Sequence, residues 1–221
     1  MLYMNGKIVE ITGPEIYHIM FMIGITAESM TGVISSSRRD MDVFGVIAIA
    51  IITALGGGVV RDVLLGNLPV TMVVHPEYAL MCLAGALIAI FTQKFVKKLH
   101  NIFLILDSIG LIAFAYFGSN IAYHICTSVF EMHFLSVLTV GIMIAVANGI
   151  AGGIMRDMIC NDIPVAFKSE LYATVAAVIG AMNIIFMHYD VNPYLGAFLI
   201  IGLGMLFRVT IILKKWSLPK I

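Results

Sequence analysis

The sequence predicts an all-α polytopic membrane protein with seven transmembrane helices, arranged as two inverted three-helix repeats followed by a seventh helix. Hydrophobic residues make up 61% of the 221 residues and charged residues only 12%, too few polar side chains for a soluble domain of this length. The mean hydropathy is accordingly high, at +1.03. Long apolar stretches recur along the chain, and one segment is repeated in its second half.

The apolar stretches have the length of membrane-spanning helices. Each is continuous over about 18 to 25 residues, enough to cross a hydrocarbon core of roughly 30 Å. A transmembrane barrel would instead show runs of roughly ten residues in which apolar and polar side chains alternate. The predicted helices cover approximately residues 15–35, 43–66, 77–94, 101–123, 134–160, 169–188 and 192–213.

The positive charges predict the orientation of the chain. Outside the predicted helices, nearly all Lys and Arg residues follow an odd-numbered helix, and only Lys7 falls on the side of the N-terminus. Cytoplasmic connections carry the excess of Lys and Arg. We therefore expect the N-terminus outside and the C-terminus in the cytoplasm. The cytoplasmic residues are Arg38, Arg39, Lys94, Lys97, Lys98, Lys168, Lys214, Lys215 and Lys220.

An internal repeat relates the two halves of the chain. Residues 57–70 read GGVVRDVLLGNLPV and residues 152–165 read GGIMRDMICNDIPV, with six of fourteen positions identical. A weaker match relates 24–32 to 110–118. Because three helices is an odd number, the second copy enters the membrane from the opposite side. The predicted single transmembrane domain, 1–221, comprises repeat one at about 15–98, repeat two at about 101–188 and helix seven at about 192–213.

Glycines in the second and fifth predicted helices are the first candidate functional residues. Consecutive glycines weaken a helix by about 1 kcal/mol each relative to Ala. We expect both helices to break there, since broken helices near the midplane of inverted repeats form transport sites. An alternative is that the glycines only permit close helix packing. The positions are Gly56, Gly57, Gly58, Gly152 and Gly153.

Each glycine motif is followed by an Arg-Asp pair, Arg61 with Asp62 and Arg156 with Asp157. Ionisable residues within a span are functional candidates by default. Neighbouring residues on a helix do not face each other, so we hypothesise partners across the repeats, Arg61 with Asp157 and Arg156 with Asp62, or freed backbone carbonyls. A purely structural clamp between the two helices is the alternative.

Four further polar residues are candidates for the pathway. Glu28 lies within helix one, and Asp107 lies about one turn into helix four, where it could instead reach the cytoplasmic interface. Thr53 and Asn148 occupy matching places beside the two glycine motifs. They could supply oxygen ligands to a cation or make interhelical hydrogen bonds.

No enzymatic, metal or nucleic-acid site is predicted. The cysteines Cys82, Cys126 and Cys160 show no metal-binding or disulfide spacing. The six histidines are scattered near the membrane boundaries. No nucleophile with its base and no phosphate-binding loop is recognisable, and no basic run indicates a nucleic-acid partner. We therefore expect no cofactor and no catalytic residue.

The motifs together resemble those of a known family. GGGVVRD at 56–62, AGGIMRD at 151–157, RRDMDVFG at 38–45 and LDSIGLIAF at 106–114 are similar to bacterial members of the trimeric intracellular cation channel family. Sequences of this kind are also described as glycine transporters, and GITAESMTG at 24–32 resembles that branch. The resemblance covers almost the whole chain. This sequence departs from the family pattern at Ala151 and Glu28.

The resemblance implies a channel of the bacterial plasma (inner) membrane. It implies a homotrimer in the lipid bilayer in which each protomer conducts potassium or another monovalent cation through its own pore. Helices two and five would be kinked at Gly56, Gly57, Gly58, Gly152 and Gly153 and would line the path. The charged positions carried over are Arg61, Asp62, Arg156 and Asp157.

Two other functions remain open at this stage. A secondary transporter of a small zwitterion such as glycine could use both the negative and the positive end of a broken helix, whereas potassium would use only one. That transporter requires Arg61 or Arg156 to be free for a substrate carboxylate, whereas a channel requires both arginines to be paired with carboxylates or displaced when the channel opens. A structural membrane protein without transport would tolerate replacement of Glu28 or Arg61 with unchanged flux.

Overall fold

The structure is a computed structural model that describes residues 2–4, 7–9, 15–92, 99–168, 171–214 and 216. The predicted cytoplasmic residues Lys94, Lys97, Lys98, Lys215 and Lys220 lie outside these ranges. The helices are α1 (Glu15–Ser36), α2 (Val43–Leu65), α3 (Thr71–Val74), α4 (Glu77–Thr92), α5 (Leu99–Ser128), α6 (Phe134–Ile159), α7 (Val165–Lys168), α8 (Tyr172–His188) and α9 (Pro193–Lys214). Before them, strand β1 (Leu2–Met4) pairs antiparallel with strand β2 (Lys7–Val9).

The seven predicted helices correspond to α1, α2, α4, α5, α6, α8 and α9. The largest difference is at α5, which continues to Ser128, five residues past the predicted end. The short helices α3 and α7 were not predicted. Each follows a proline, Pro69 or Pro164, in the connection after a long helix that has already ended at Leu65 or Ile159. The chain then makes a single helical turn before the next long helix.

The prediction of an α-helical membrane protein is confirmed, although the short β1–β2 pair before α1 was not predicted. Within the described residues, five helices are long and apolar enough to cross a membrane: Tyr17–Ser36, Val43–Leu65, His100–Ser128, Phe134–Ile159 and Pro193–Lys214. The two other apolar helices, Glu77–Thr92 and Tyr172–His188, are shorter, at 16 and 17 residues. Their crossing of the membrane, and with it the seven-span topology, stays a prediction.

The prediction that the second and fifth helices break at their glycines is wrong. α2 is α-helical through Gly56, Gly57 and Gly58, and α6 through Gly152 and Gly153. A broken helix would release backbone groups that need partners at membrane depth. Here the glycines instead allow the backbones of α2 and α6 to touch, which is the common use of small residues in membrane helices.

Packing follows the same scheme in the two halves. α1 packs against α2 and α4, α5 packs against α6 and α8, and the two groups meet along the α1–α5 and α2–α6 contacts. At the end of α1, the Arg39 guanidinium donates a hydrogen bond of 2.5 Å to Asp162, which follows α6. The ends of α1 and α6 therefore lie on the same face of the protein.

Candidate functional site

The Arg-Asp pair at the end of α2 is a closed and buried network. Arg61 donates from Nε to Asp62 Oδ1 at 2.9 Å and from Nη2 to the Thr71 hydroxyl at 2.8 Å. Asp62 also accepts from the Asn67 side-chain amide at 3.0 Å and from the Thr71 backbone N–H at 2.6 Å. Arg61 is 0% exposed and Asp62 is 1% exposed. The carboxylate therefore neutralises its neighbour and ties the start of α3 to the end of α2.

The pair at the end of α6 repeats this arrangement. Arg156 donates from Nε to Asp157 Oδ1 at 2.8 Å, and the Val165 backbone N–H donates to Asp157 Oδ2 at 2.9 Å. Val165 is the first residue of α7, just as Thr71 is the first residue of α3. In both halves the Asp thus holds a short helix against the end of a long one.

The hypothesis of Arg-Asp partners across the repeats is wrong. Thr53 of α2 faces Gly152 of α6, and Gly57 faces Asn148, so the two helices run antiparallel. In this register Arg156 lies beside a position of α2 that is twelve residues before Arg61. At a rise of 1.5 Å per residue, the two arginines are separated by about 18 Å along the helices. The long Arg side chain instead folds back onto the Asp that follows it, which overrides the rule that neighbours on a helix do not face each other.

The two glycines of each motif have different neighbours. A Cβ on Gly57 would overlap the carbonyl oxygen of Asn148, and a Cβ on Gly152 would overlap that of Thr53. A Cβ on Gly58 would meet the guanidinium of Arg61 at 3.7 Å, and one on Gly153 would meet that of Arg156 at 3.4 Å. The two glycines of the motif Gly-Gly-x-x-Arg-Asp therefore have different roles. The first permits the contact between α2 and α6, and the second lies beneath the Arg side chain.

The polar residues beside the glycines are engaged in hydrogen bonds. The Thr53 hydroxyl donates to the carbonyl of Ile49 in its own helix at 2.6 Å. The Asn148 amide donates to the carbonyl of Phe114 in α5 at 2.6 Å, so it is an interhelical link. Asn148 Oδ1 is buried without a hydrogen-bond partner and would lie 3.6 Å from a Cβ on Gly57. Gly56 completes the contact, because its Cα faces the Met155 side chain.

Arg156 is surrounded by more carboxylates than Arg61. Its Nη1 atom donates to Asp107 Oδ1 at 3.1 Å and to the Thr31 hydroxyl at 2.9 Å. The Glu28 Oε2 atom lies 3.6 Å from the same nitrogen and accepts from Thr31 at 3.0 Å. Glu28 is 3% exposed and Asp107 is 0% exposed. Both carboxylates are therefore enclosed by protein, and the position of Asp107 relative to the cytoplasmic interface stays a prediction.

Residues that were not predicted complete this cluster. Arg208 of α9 lies over the ring of Tyr172, with its Cζ atom 4.7 Å from the ring centroid. The Tyr172 hydroxyl lies near Arg156, since a Cβ on Gly153 would be 3.9 Å from that oxygen. Arg208 could have been found from its charge within an apolar helix, the signal that identified Glu28. Thr31 and Tyr172 carry no such signal.

No metal centre is evident in the part of the chain that the structure describes. No group of three or more His, Cys, Asp or Glu side chains there has the arrangement of metal ligands. The carboxylates around Arg156 accept from guanidinium, hydroxyl and backbone groups instead.

Comparison with known proteins places the chain among bacterial membrane proteins. The family model described as "Glycine transporter" matches residues 18–94 and 104–189. A UPF0126 membrane protein of Deinococcus radiodurans is 32% identical over 78% of this chain and 77% of its own length. The UPF0126 inner membrane protein YadS of Escherichia coli is 27% identical over 89% of this chain and 91% of its own length.

Solved structures give the same assignment. The trimeric intracellular cation (TRIC) channel orthologue of Rhodobacter sphaeroides is 26% identical, with a TM-score of 0.81 over 92% of this chain and 100% of that chain. A prokaryotic TRIC channel in 0.5 M KCl is 27% identical, with a TM-score of 0.78 over 92% of this chain and 99% of that chain. The chain therefore belongs to the family described as "Glycine transporter", and it is a bacterial member of the TRIC family.

Proposed function

We propose that this protein is a channel for monovalent cations such as potassium, with one pore in each protomer lined by α2 and α6. The observation that carries the proposal is the structural likeness to TRIC cation channels over 92% of the chain. These channels are 26–28% identical to this chain, and the similarity extends over the whole fold rather than a fragment.

The charges of the described site are compatible with cations. Arg61 and Arg156 would repel a cation, but each forms an ion pair with the Asp that follows it. Glu28 and Asp107 add further negative charge beside Arg156. The requirement that a channel neutralise both arginines is therefore met by local ion pairs.

The contact between α2 and α6 would be the closed gate of this channel. At Gly57 and Gly152 the two backbones touch, so this contact leaves no room for an ion. Separation of the helices would expose the side-chain oxygen of Asn148, which is buried without a partner in the closed contact. Oxygen dipoles of this kind replace the hydration shell of a monovalent cation.

The arrangement in the membrane is proposed with the function. Seven spans in two inverted repeats would place the N-terminus outside and the C-terminus in the cytoplasm of a bacterial inner-membrane homotrimer. The ion pair between Arg39 and Asp162 places both residues on one face, which supports an even number of crossings between them. Here the chain would cross four times, at α2, α4, α5 and α6. A green fluorescent protein fused after Trp216 should fluoresce, whereas alkaline phosphatase at the same site should be inactive.

A second candidate function is a carrier of a small zwitterion such as glycine. Two donors favour it: Arg61 Nη1 and Arg156 Nη2 are buried without hydrogen-bond partners, and a substrate carboxylate could accept from either of them. Glu28 and Asp107, which could bind the substrate ammonium, lie beside Arg156. Both carboxylates already accept from Thr31 or Arg156, and Arg156 is 0% exposed. A zwitterion could enter only if this closed cluster opened, which argues against this function.

Reconstitution of the purified protein distinguishes the two functions. In planar bilayers with a potassium chloride gradient, we expect discrete openings whose reversal potential follows potassium, with protein-free bilayers as the control. In liposomes we expect no saturable exchange of labelled glycine. Silent bilayers together with saturable glycine exchange would replace the channel with the carrier.

A further inference from the structure

The acidic cluster around Arg156 has more negative than positive charge. Asp157 pairs with Arg156 as Asp62 pairs with Arg61, so these two pairs balance. Glu28 and Asp107 are additional, and both approach the same Arg156 nitrogen, at 3.6 and 3.1 Å. Buried charges without compensation are expensive and are commonly neutralised by a proton. The imbalance therefore concerns Glu28 and Asp107.

The fold contains a built position for the Glu28 carboxyl group. A Cβ on Gly110 of α5 would overlap the Oε1 atom of Glu28, so the missing side chain of Gly110 makes room for that group. Asp107 lies three residues before Gly110, on the same face of α5. Asp107 Oδ2 is buried without a hydrogen-bond partner. An acceptor oxygen without a donor thus lies in the same cluster as a second carboxyl group.

The other charged and titratable groups do not restore the balance. Among the described residues, the groups that interact with this cluster lie on α6, α8 and α9 or directly after α6. Besides Arg156, the one cation among them is Arg208. Counting Arg208 as fully charged still leaves three carboxylates against two guanidinium groups. The charged pair of α2 is about 18 Å away at 1.5 Å per residue. The groups are Glu28, Asp107, Arg156, Asp157, Cys160, Tyr172 and Arg208.

We propose that Glu28 and Asp107 together bind one exchangeable proton. A proton needs only one of the carboxyl oxygens, and the resulting O–H group supplies the donor that Asp107 Oδ2 lacks. A potassium ion would need several oxygen atoms in place of its hydration shell, whereas Glu28 and Asp107 already accept from Thr31 and Arg156. The occupant is therefore a proton rather than an alkali cation.

Release of this proton would make transport sensitive to pH. Loss of the proton adds one negative charge beside the proposed path, which attracts cations. Cation flux should therefore rise as the pH rises. This effect rests on the proposed channel function, whereas the binding of the proton does not.

Infrared spectroscopy tests the proton directly, without any transport measurement. At neutral pH the wild-type protein should show the carbonyl stretch of a buried protonated carboxyl group, shifted in heavy water. The stretch should be lost in Glu28→Gln and in Asp107→Asn. Each variant leaves two carboxylates against two guanidinium groups, so no proton is needed to balance the charge. Asp190→Asn is the matched control, since Asp190 is exposed and its positive φ of 49° suits Asn.

Each outcome decides the proposal. A stretch that is absent from the wild type, or that is unchanged in both variants, would overturn it. A stretch that disappears as potassium is added at constant pH would assign the site to an alkali cation and would also overturn it. The flux measurement follows: Glu28→Gln should remove the pH dependence, while Asp190→Asn should keep it. If the stretch behaves as expected but the protein carries no cation current, only the proposed function fails.

Discussion

Gly57 of α2 lies with its backbone against the carbonyl oxygen of Asn148 in α6, so closely that a Cβ on the glycine would overlap that oxygen. Gly152 has the same relationship to the carbonyl oxygen of Thr53. Short Cα–H···O contacts of this kind recur where helices pack closely. The reciprocal pair makes the α2–α6 contact specific to glycine at two positions.

Replacement of Gly57 by Ala should destabilise the protein, whereas replacement of Gly58 should not. The methyl group added at Gly57 would meet backbone atoms, which cannot move aside. Overpacking of this kind lowers the free energy of unfolding by about 1–3 kcal/mol. At Gly58 the nearest atom is 3.7 Å away, on the flexible Arg61 side chain. Unfolding in mixed micelles of increasing denaturing detergent measures both variants. Equal stability of the two would contradict a backbone contact at Gly57.

Removal of Arg61 should be more harmful than removal of both members of its ion pair. Arg61→Met leaves the Asp62 carboxylate buried and unbalanced, for which we expect a loss of about 3–5 kcal/mol. In the double variant Arg61→Met with Asp62→Leu, a large part of that loss should be recovered, because no charge remains buried. The same unfolding assay measures this. A double variant that is less stable than Arg61→Met would show that Asp62 acts mainly by holding Asn67 and Thr71.

The exposed ion pair between Arg39 and Asp162 should contribute little and should respond to salt. Its side chains are 39% and 49% exposed, and salt screens exposed pairs. The hydrogen bond that Arg39 donates to Asp162 raises the pKa of the Arg39 guanidinium above its ordinary value. Because the pKa of Arg39 is raised in the folded state, the ion pair stabilises the protein fully below the unfolded-state pKa of Arg39. This contribution is lost only as the pH rises through the folded-state pKa, so changes of pH around neutrality should leave it intact. Arg39→Gln should lower stability less at high than at low ionic strength, with Arg38→Gln as the control.

The helices could be predicted from the sequence because each depends on a continuous apolar stretch. α2, for example, spans Val43–Leu65 where 43–66 was expected. The end of α5 was missed because Thr127 and Ser128 are polar. The helix nevertheless accommodates Thr127, whose hydroxyl donates to the Tyr123 carbonyl of the preceding turn. Side-chain bonds of this kind are invisible in a hydropathy pattern.

The sequence repeat identified the Arg-Asp pairs of the candidate site, but it could not predict the hydrogen-bond partners of those residues. A glycine that breaks a helix and a glycine that allows close packing leave the same sequence pattern, and only the contact with Asn148 distinguishes them. The cluster of Glu28, Asp107 and Arg156 joins three helices. Its members are far apart in sequence, so only the packing of those helices brings them together.

Shortening of Met155 should increase the basal cation current if α2 and α6 form the gate. The Met155 side chain covers the Cα of Gly56, and its removal leaves a gap in the contact that holds the gate closed. Channels of the Met155→Ala variant should therefore have a higher open probability than wild-type channels in planar bilayers. Met143→Ala, on the same helix with 65% of its side chain exposed, is the control and should be unchanged. An unaltered Met155→Ala current would place the gate elsewhere.

Asn148→Leu should reduce cation conductance, whereas Asn183→Leu should reduce stability alone. Both side chains are buried and donate to α5: Asn148 to the Phe114 carbonyl at 2.6 Å, and Asn183 to the Ser119 hydroxyl at 2.9 Å. Each replacement should thus cost about 0.6 kcal/mol, the average for interhelical hydrogen bonds in a membrane. Only Asn148 has its side-chain oxygen beside Gly57, where an ion would pass between the separated helices. Single-channel conductance after correction for the amount of folded protein separates the two effects, and an equal loss of conductance in both variants would remove Asn148 from the path.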